Sequence, residues 1–309
     1  MAKKQLVKIG LVQMAVPATK KAALEKAARL ITQAAKKGAK IICLPELFNT
    51  PYFPQKDKLP KKQYAETVSG VVMRSLAAQA KKLKITLIVP IYELRDTKYY
   101  NTAVVFSEQG KFSGQYDKIH IPHDPGFYEK SYFEQGKGDY KIFKSPYAKF
   151  AVLICYDQWY PEAARAARLN GAEIIFYPTA IGDIIGYKTE GDWHNAWETA
   201  QRGHAIANSV YVAGVNRTGR EGQMRFFGQS FVSDPFGKII KRASKSKDEA
   251  VVVQIDLERN RFFADGWGFL RNRRPDTYKA LVAKKLTEKH RGLKNVPHYK
   301  DEIRALEGK

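Results

Sequence analysis

The sequence is short of cysteine, of long apolar runs and of acidic side chains, and each shortage removes a class of protein. Only two cysteines occur in 309 residues, Cys43 and Cys155, which rules out a disulfide framework and a cysteine-rich zinc site. Both lie inside apolar strings, IICLPE and VLICYD. The six histidines show no HExxH-type spacing, so neither a metal nor a cofactor is expected. No stretch approaches the roughly 18 consecutive apolar residues of a membrane-spanning helix, and residues 1–8 lack the apolar run of a secretory signal. A cytoplasmic protein without membrane contact is expected.

Acidic residues are outnumbered: 31 Asp and Glu stand against 53 Lys and Arg, a formal charge of +22. Such a field attracts polyanions non-specifically. The lysines, however, are spread over residues 20–37, 56–62 and the stretch from 279 onward, without the interleaved aromatics of a nucleic-acid platform. They read as a solvated surface, and no specific nucleic-acid partner is expected.

What is present is core: 44% hydrophobic and 12% aromatic residues can bury a large interior. Alternation at Val7, Ile9 and Leu11 predicts a strand, residues 22–35 carry apolar positions at helical spacing up to Gly38, and residues 41–44 predict a second strand. The alternation continues, with a helix at 73–82, strands at 85–90, 102–106 and 150–155, a helix from Pro161, a strand at 174–177, a helix over 193–208 and a strand at 210–215. Strand segments at 228–233, 238–241 and 250–256 complete an α/β pattern. Neither a linker nor a repeat breaks it. One domain over residues 1–276 is expected, followed by a basic extension, 277–309, that docks on a partner subunit or remains unattached.

Three polar residues close apolar runs, where an α/β sheet presents its functional groups: Glu46 after IICLP, Lys118 in YDKIHIP and Cys155 ending FAVLIC. Alone, each has an ordinary reading, as a helix-start carboxylate, a surface lysine and a packed core thiol. Together they supply a nucleophile, a base for its proton and a fixed positive charge for an oxyanion. Cys43 keeps the core reading.

The blocks LPELF (44–48), YDKIHIP (116–122) and ICYDQWYPEAAR (154–165), in that order, resemble the signature blocks of the nitrilase superfamily. The resemblance runs from about residue 5 to 280. It implies a four-layer α-β-β-α sandwich, a homo-oligomer, and a Glu-Lys-Cys triad at Glu46, Lys118 and Cys155. It also implies a second glutamate shortly after the lysine, for which HDPGFYEKSYF offers Glu129, with Glu134 as fallback. The backbone N–H of Tyr156 then joins Lys118 at the oxyanion. Longer strings, HIPHDPGFYEKSYFEQG, CYDQWYPEAARAARLNGAEIIFYPTAIG and WETAQRGHAIANSVYVAGVNRTG, resemble the N-carbamoylputrescine amidohydrolases within that superfamily. They imply ureide hydrolysis through a cysteine thioester. β-Ureidopropionases, which cleave the same group on a carboxylate-bearing molecule, are the alternative.

The substrate is expected to be a small molecule. A distant ammonium needs a carboxylate or an aromatic face, for which Asp183, Glu190 and Asp192 are candidates, with Tyr52, Tyr128, Tyr156 and Trp159 as pocket walls. A carboxylate would need an arginine instead, Arg202 or Arg217. The sequence departs from the superfamily pattern at Tyr156, where tryptophan is common, in lacking a proline after Gly70, and in its charge. An inactive nitrilase-like protein whose basic surface binds polyanions is the expectation of a different class.

Overall fold

The structure is a computed structural model and describes residues 4–57, 62–283 and 297–308. Two six-stranded sheets are stacked face to face. The first holds β1 (Leu6–Gln13), β2 (Ile41–Cys43), β3 (Thr86–Arg95), β4 (Lys98–Phe106), β5 (Phe112–Asp117) and β15 (Glu249–Asp256), in the order β15-β1-β2-β3-β4-β5. The second holds β6 (Ile142–Lys144), β7 (Lys149–Val152), β8 (Ile174–Thr179), β10 (Tyr211–Asn216), β13 (Phe231–Ser233) and β14 (Ile239–Arg242), in the order β14-β13-β10-β8-β7-β6. In each sheet three central strands run parallel and the outer ones antiparallel. A three-stranded ribbon, β11-β12-β9, stands apart, built from β9 (Gly182–Ile184), β11 (Thr218–Glu221) and β12 (Met224–Phe227).

The period of two along the strands makes the layers. Ile9, Leu11, Ile41 and Cys43 cluster with Ala151, Ile175 and Ala213 of the opposite sheet. Cys43 is thus a core thiol. Their neighbours Val12, Ile42 and Leu87 instead meet Ala27, Leu30 and Leu76 of helices α1 (Lys20–Lys36) and α2 (Val71–Leu83). On the other side, α3 (Pro161–Leu169) and α4 (Trp193–Asn208) cover the second sheet through Ala163, Ala167 and Ala205. The result is the four-layer α-β-β-α sandwich. Two glycines let helices approach: a Cβ on Gly10 would stand 3.2 Å from Ala34, and one on Gly214 would stand 3.0 Å from Trp197.

Several boundaries differ from the sequence-based expectation. β3 runs on to Arg95 because it forms a hairpin with β4, turning at Asp96 with φ 55°. β7 ends at Val152, not at 155, because the chain leaves the sheet there for a tight turn. Helix α5 (Glu258–Trp267) and the short ribbon lacked a clear periodic signal. Part of the basic extension forms α6 (Pro297–Glu307), whose Ala305 and Leu306 pack against Ile184 and Tyr187 of the same chain. Among the described residues no helix is long and apolar enough to cross a membrane.

Candidate active site

Glu46 follows β2 in a loop whose next residue, Leu47, has φ 49°. What holds this loop is Arg217, directly after β10 of the opposite sheet. It is fully buried, donates from Nη2 to the carbonyls of Glu46 and Leu47 at 2.8 Å each, and pairs through Nη1 with Glu221 at 2.7 Å. Removing a partner from such a buried set costs about 3–5 kcal/mol. Arg217 therefore acts as a strut between sheets and is not available to a substrate carboxylate. Arg202 is also committed, to the Gly237 carbonyl at 2.7 Å and Glu198 at 3.6 Å.

Lys118 follows β5 and its ammonium lies between two carboxylates, 3.0 Å from Glu46 Oε1 and 2.6 Å from Glu129 Oε2, all three side chains fully buried. Burial alone would push the ammonium down, but Glu129 and Glu46 outweigh it and leave it raised and charged. Glu129 opens a short 3₁₀ turn, and its other oxygen accepts from the Tyr52 hydroxyl at 2.7 Å. Burial pushes its carboxyl up to about 7, against the pull of Lys118. Glu46 Oε1 also accepts from Asn101 Nδ2 at 2.7 Å, whereas its Oε2 has no hydrogen-bond partner among the described residues.

Cys155 begins a 3₁₀ turn between β7 and α3 with φ 45°, a left-handed conformation that costs a non-glycine residue roughly 1–3 kcal/mol. The turn is over-determined. Asp157 accepts from the Ile154 N–H at 2.8 Å, the Tyr116 hydroxyl at 2.8 Å and the His120 N–H at 3.0 Å, tying the cysteine turn to the Lys118 segment. Gln158 Oε1 accepts from Trp197 Nε1 at 2.7 Å and Gln201 Nε2 at 3.2 Å. Burial and the nearby Glu46 push the Cys155 thiol well up, while Lys118 and the Ala180 backbone pull the other way. At neutral pH the resting group is a thiol.

Cys155 and Glu129 line a pocket of about 320 Å³, walled by Tyr156, Trp159, Phe127, Ile181 and Trp193. Its remaining polar wall is Gln158 and three acids, Asp124, Glu190 and Glu302, with no lysine or arginine among its described lining residues. Four residues expected to contact the substrate stand elsewhere. Tyr52 lies behind, committed to Glu129; Tyr128 turns away from its pocket-lining neighbour Phe127 and packs edge-on against His123. Asp183 points to the other face of its ribbon, 3.5 Å from Arg225. Asp192 caps α4, accepting from the Asn195 N–H at 2.9 Å. Glu134 lies on the surface, 3.9 Å from Lys98. The sequence reading missed Asn101, Asp124 and Glu302, none of which stands in a nucleophile-like setting.

A buried carboxylate–ammonium–carboxylate array beneath a strained cysteine can transfer an acyl group through sulfur. Residues 8–264 match the family model for carbon-nitrogen hydrolases. The chain belongs to that family. Among curated relatives, this carbon-nitrogen hydrolase is 39% identical to an N-carbamoylputrescine amidase of Oryza sativa subsp. japonica, spanning 89% of this chain and 94% of the relative. It is 36% identical to a citrullinase of Francisella tularensis, spanning 90% and 99%. A solved carbon-nitrogen hydrolase from Helicobacter pylori G27 superposes with a TM-score of 0.87 at 38% identity, covering 91% of this chain and 100% of that one. The hydrolase fold and its enzymatic class are thus shared along nearly the whole chain.

Proposed function

We propose that this carbon-nitrogen hydrolase cleaves the ureido group of N-carbamoylputrescine, giving putrescine, ammonia and carbon dioxide. The observation that carries the reading is the sign of the pocket. Its wall holds Asp124, Glu190 and Glu302 and no described cation, so a ureide ending in an ammonium is matched and one ending in a carboxylate is repelled. The +22 net charge opposes a cation only at long range, where salt screens beyond about 8 Å.

The geometry supports the following catalytic roles. Cys155 Sγ attacks the ureido carbon while its proton moves to Glu46, whose Oε2 has no hydrogen-bond partner among the described residues. Lys118 and the Tyr156 N–H hold the oxyanion. Glu129, fixed by Tyr52, positions Lys118. Glu46 returns the proton to departing ammonia, leaving an N-alkylcarbamoyl thioester on Cys155. Water, deprotonated by Glu46, attacks that thioester, and the released carbamic acid decomposes to putrescine and carbon dioxide.

We also infer a homo-oligomer, because Phe236, Phe262 and Trp267 leave an aromatic face on α5 and its surroundings, Phe262 being 71% exposed. We infer a cytoplasmic setting, which would keep the free Cys43 and Cys155 reduced. Ammonia release from N-carbamoylputrescine, N-carbamoyl-β-alanine, citrulline and simple amides tests the function. The cationic ureide is expected to have at least tenfold the kcat/KM of either carboxylate-bearing one. A preference for N-carbamoyl-β-alanine or citrulline would overturn the substrate. Silence on all of them, with salt-sensitive nucleic-acid binding, would overturn the enzymatic reading.

A further inference from the structure

The pocket wall includes one residue from the far end of the chain. Helix α6 lies along the rim, where Leu306 Cδ1 comes within 3.6 Å of the place a Cβ would occupy on Gly126, and the Ala305 carbonyl accepts from Gln223 Nε2 at 3.3 Å. These contacts bring Glu302 to the pocket that also opens on Cys155. Glu302 is only 4% exposed, and no hydrogen bond or ion pair reaches its carboxylate among the described residues.

A carboxylate in that position is costly for the empty protein. Burial, with Glu190 and Asp124 close by, pushes its carboxyl up to about 8. An alanine or leucine would close the rim equally well, since the packing of α6 rests on Ala305 and Leu306. What the carboxylate adds is an acceptor for a cation, and a cation entering the pocket offsets the repulsion among the three acids.

We infer that Glu302, carried on the C-terminal helix, is a specificity-determining residue that binds the ammonium at the end of the substrate remote from Cys155. The inference rests on the cationic-ureide reading given above and adds to it a C-terminal element as part of the substrate site. The chemistry recognised is a primary alkylammonium on a short apolar chain, which Phe127, Trp159 and Trp193 flank.

The test uses the full-length protein and two readouts. In the first, putrescine or 1-butanol is asked to shield Cys155 from iodoacetamide, with modification read on the Cys155 peptide. Putrescine is expected to protect the unmodified protein and butanol not to, and E302Q is expected to raise the putrescine concentration required by tenfold or more. In the second, the ratio of kcat/KM for N-carbamoylputrescine to that for n-butylurea is expected to fall at least tenfold in E302Q, through KM. An unchanged ratio, including one in which both substrates decline together, would overturn the inference, as would protection by putrescine that E302Q leaves intact. The two proposals fail separately. If N-carbamoylputrescine is not hydrolysed but putrescine protects in a Glu302-dependent way, the substrate is wrong and the cation site stands; if it is hydrolysed and E302Q alters neither readout, the reverse holds.

Discussion

Cys155→Ala is expected to lower turnover of every ureide and amide by about 10⁴-fold or more, while the thermal midpoint stays within a few degrees of the unmodified protein. The size of the effect follows from the pocket wall, whose described lining residues include no second thiol, no serine or threonine hydroxyl and no amine. Cys43 cannot substitute, because it lies between the sheets with Ile41 and Leu11. Stability is spared because the turn is held by Asp157 and Gln158, not by the sulfur. Cys155→Ser is expected to be nearly as inactive, because an alcohol is far harder to deprotonate than a thiol. Ammonia release paired with a melting curve checks both, and activity within tenfold of the unmodified protein would remove sulfur from the mechanism.

Lys118→Met is expected to damage activity and stability together. On the proposed mechanism, losing the cation that stabilises the oxyanion is expected to lower kcat by about 10²–10³-fold. It also leaves Glu46 and Glu129 buried side by side without the charge that pairs them, a loss of roughly 3–5 kcal/mol. The pH dependence has a definite sign. Lys118 now pulls the Glu129 carboxyl down; without it that carboxyl rises further above its unfolded value. A carboxyl raised in the folded state favours folding most below the unfolded value and loses that contribution as pH rises through the folded one. The deficit of Lys118→Met should therefore be largest at pH 8 and narrow at pH 5. Urea unfolding at the two pH values measures it, and a deficit that is constant or grows in acid would contradict the buried triad.

These expectations rest on features of unequal visibility in the sequence. The layers were legible because the apolar period is strong: two along β1, where Ile9 and Leu11 face one way and Val12 the other, and near 3.6 along α1. Glu46, Lys118 and Cys155 stand out because each is a polar residue closing an apolar run. The pocket wall was harder to read. Along an extended or turning segment adjacent side chains face apart, so Phe127 lines the pocket and Tyr128 does not, while Asp183, two residues beyond the pocket-lining Ile181, pairs across its ribbon with Arg225. Arg217, read as a free cation for substrate, is a buried strut, since nothing local reveals that its partners are the carbonyls of Glu46 and Leu47. Glu302 was invisible for the same reason, since its place depends on how the end of the chain returns across the rim.

The central claim is that carbon from the ureide passes through Cys155. Mixing the protein with N-carbamoylputrescine, quenching in acid at millisecond intervals and reading peptide masses tests it directly. The expected result is the N-alkylcarbamoyl group of the substrate on the peptide carrying Cys155, appearing as ammonia is released and disappearing as substrate is exhausted. Ammonia release with that group on another residue, or with Cys155 unmodified at every quench time, would contradict it.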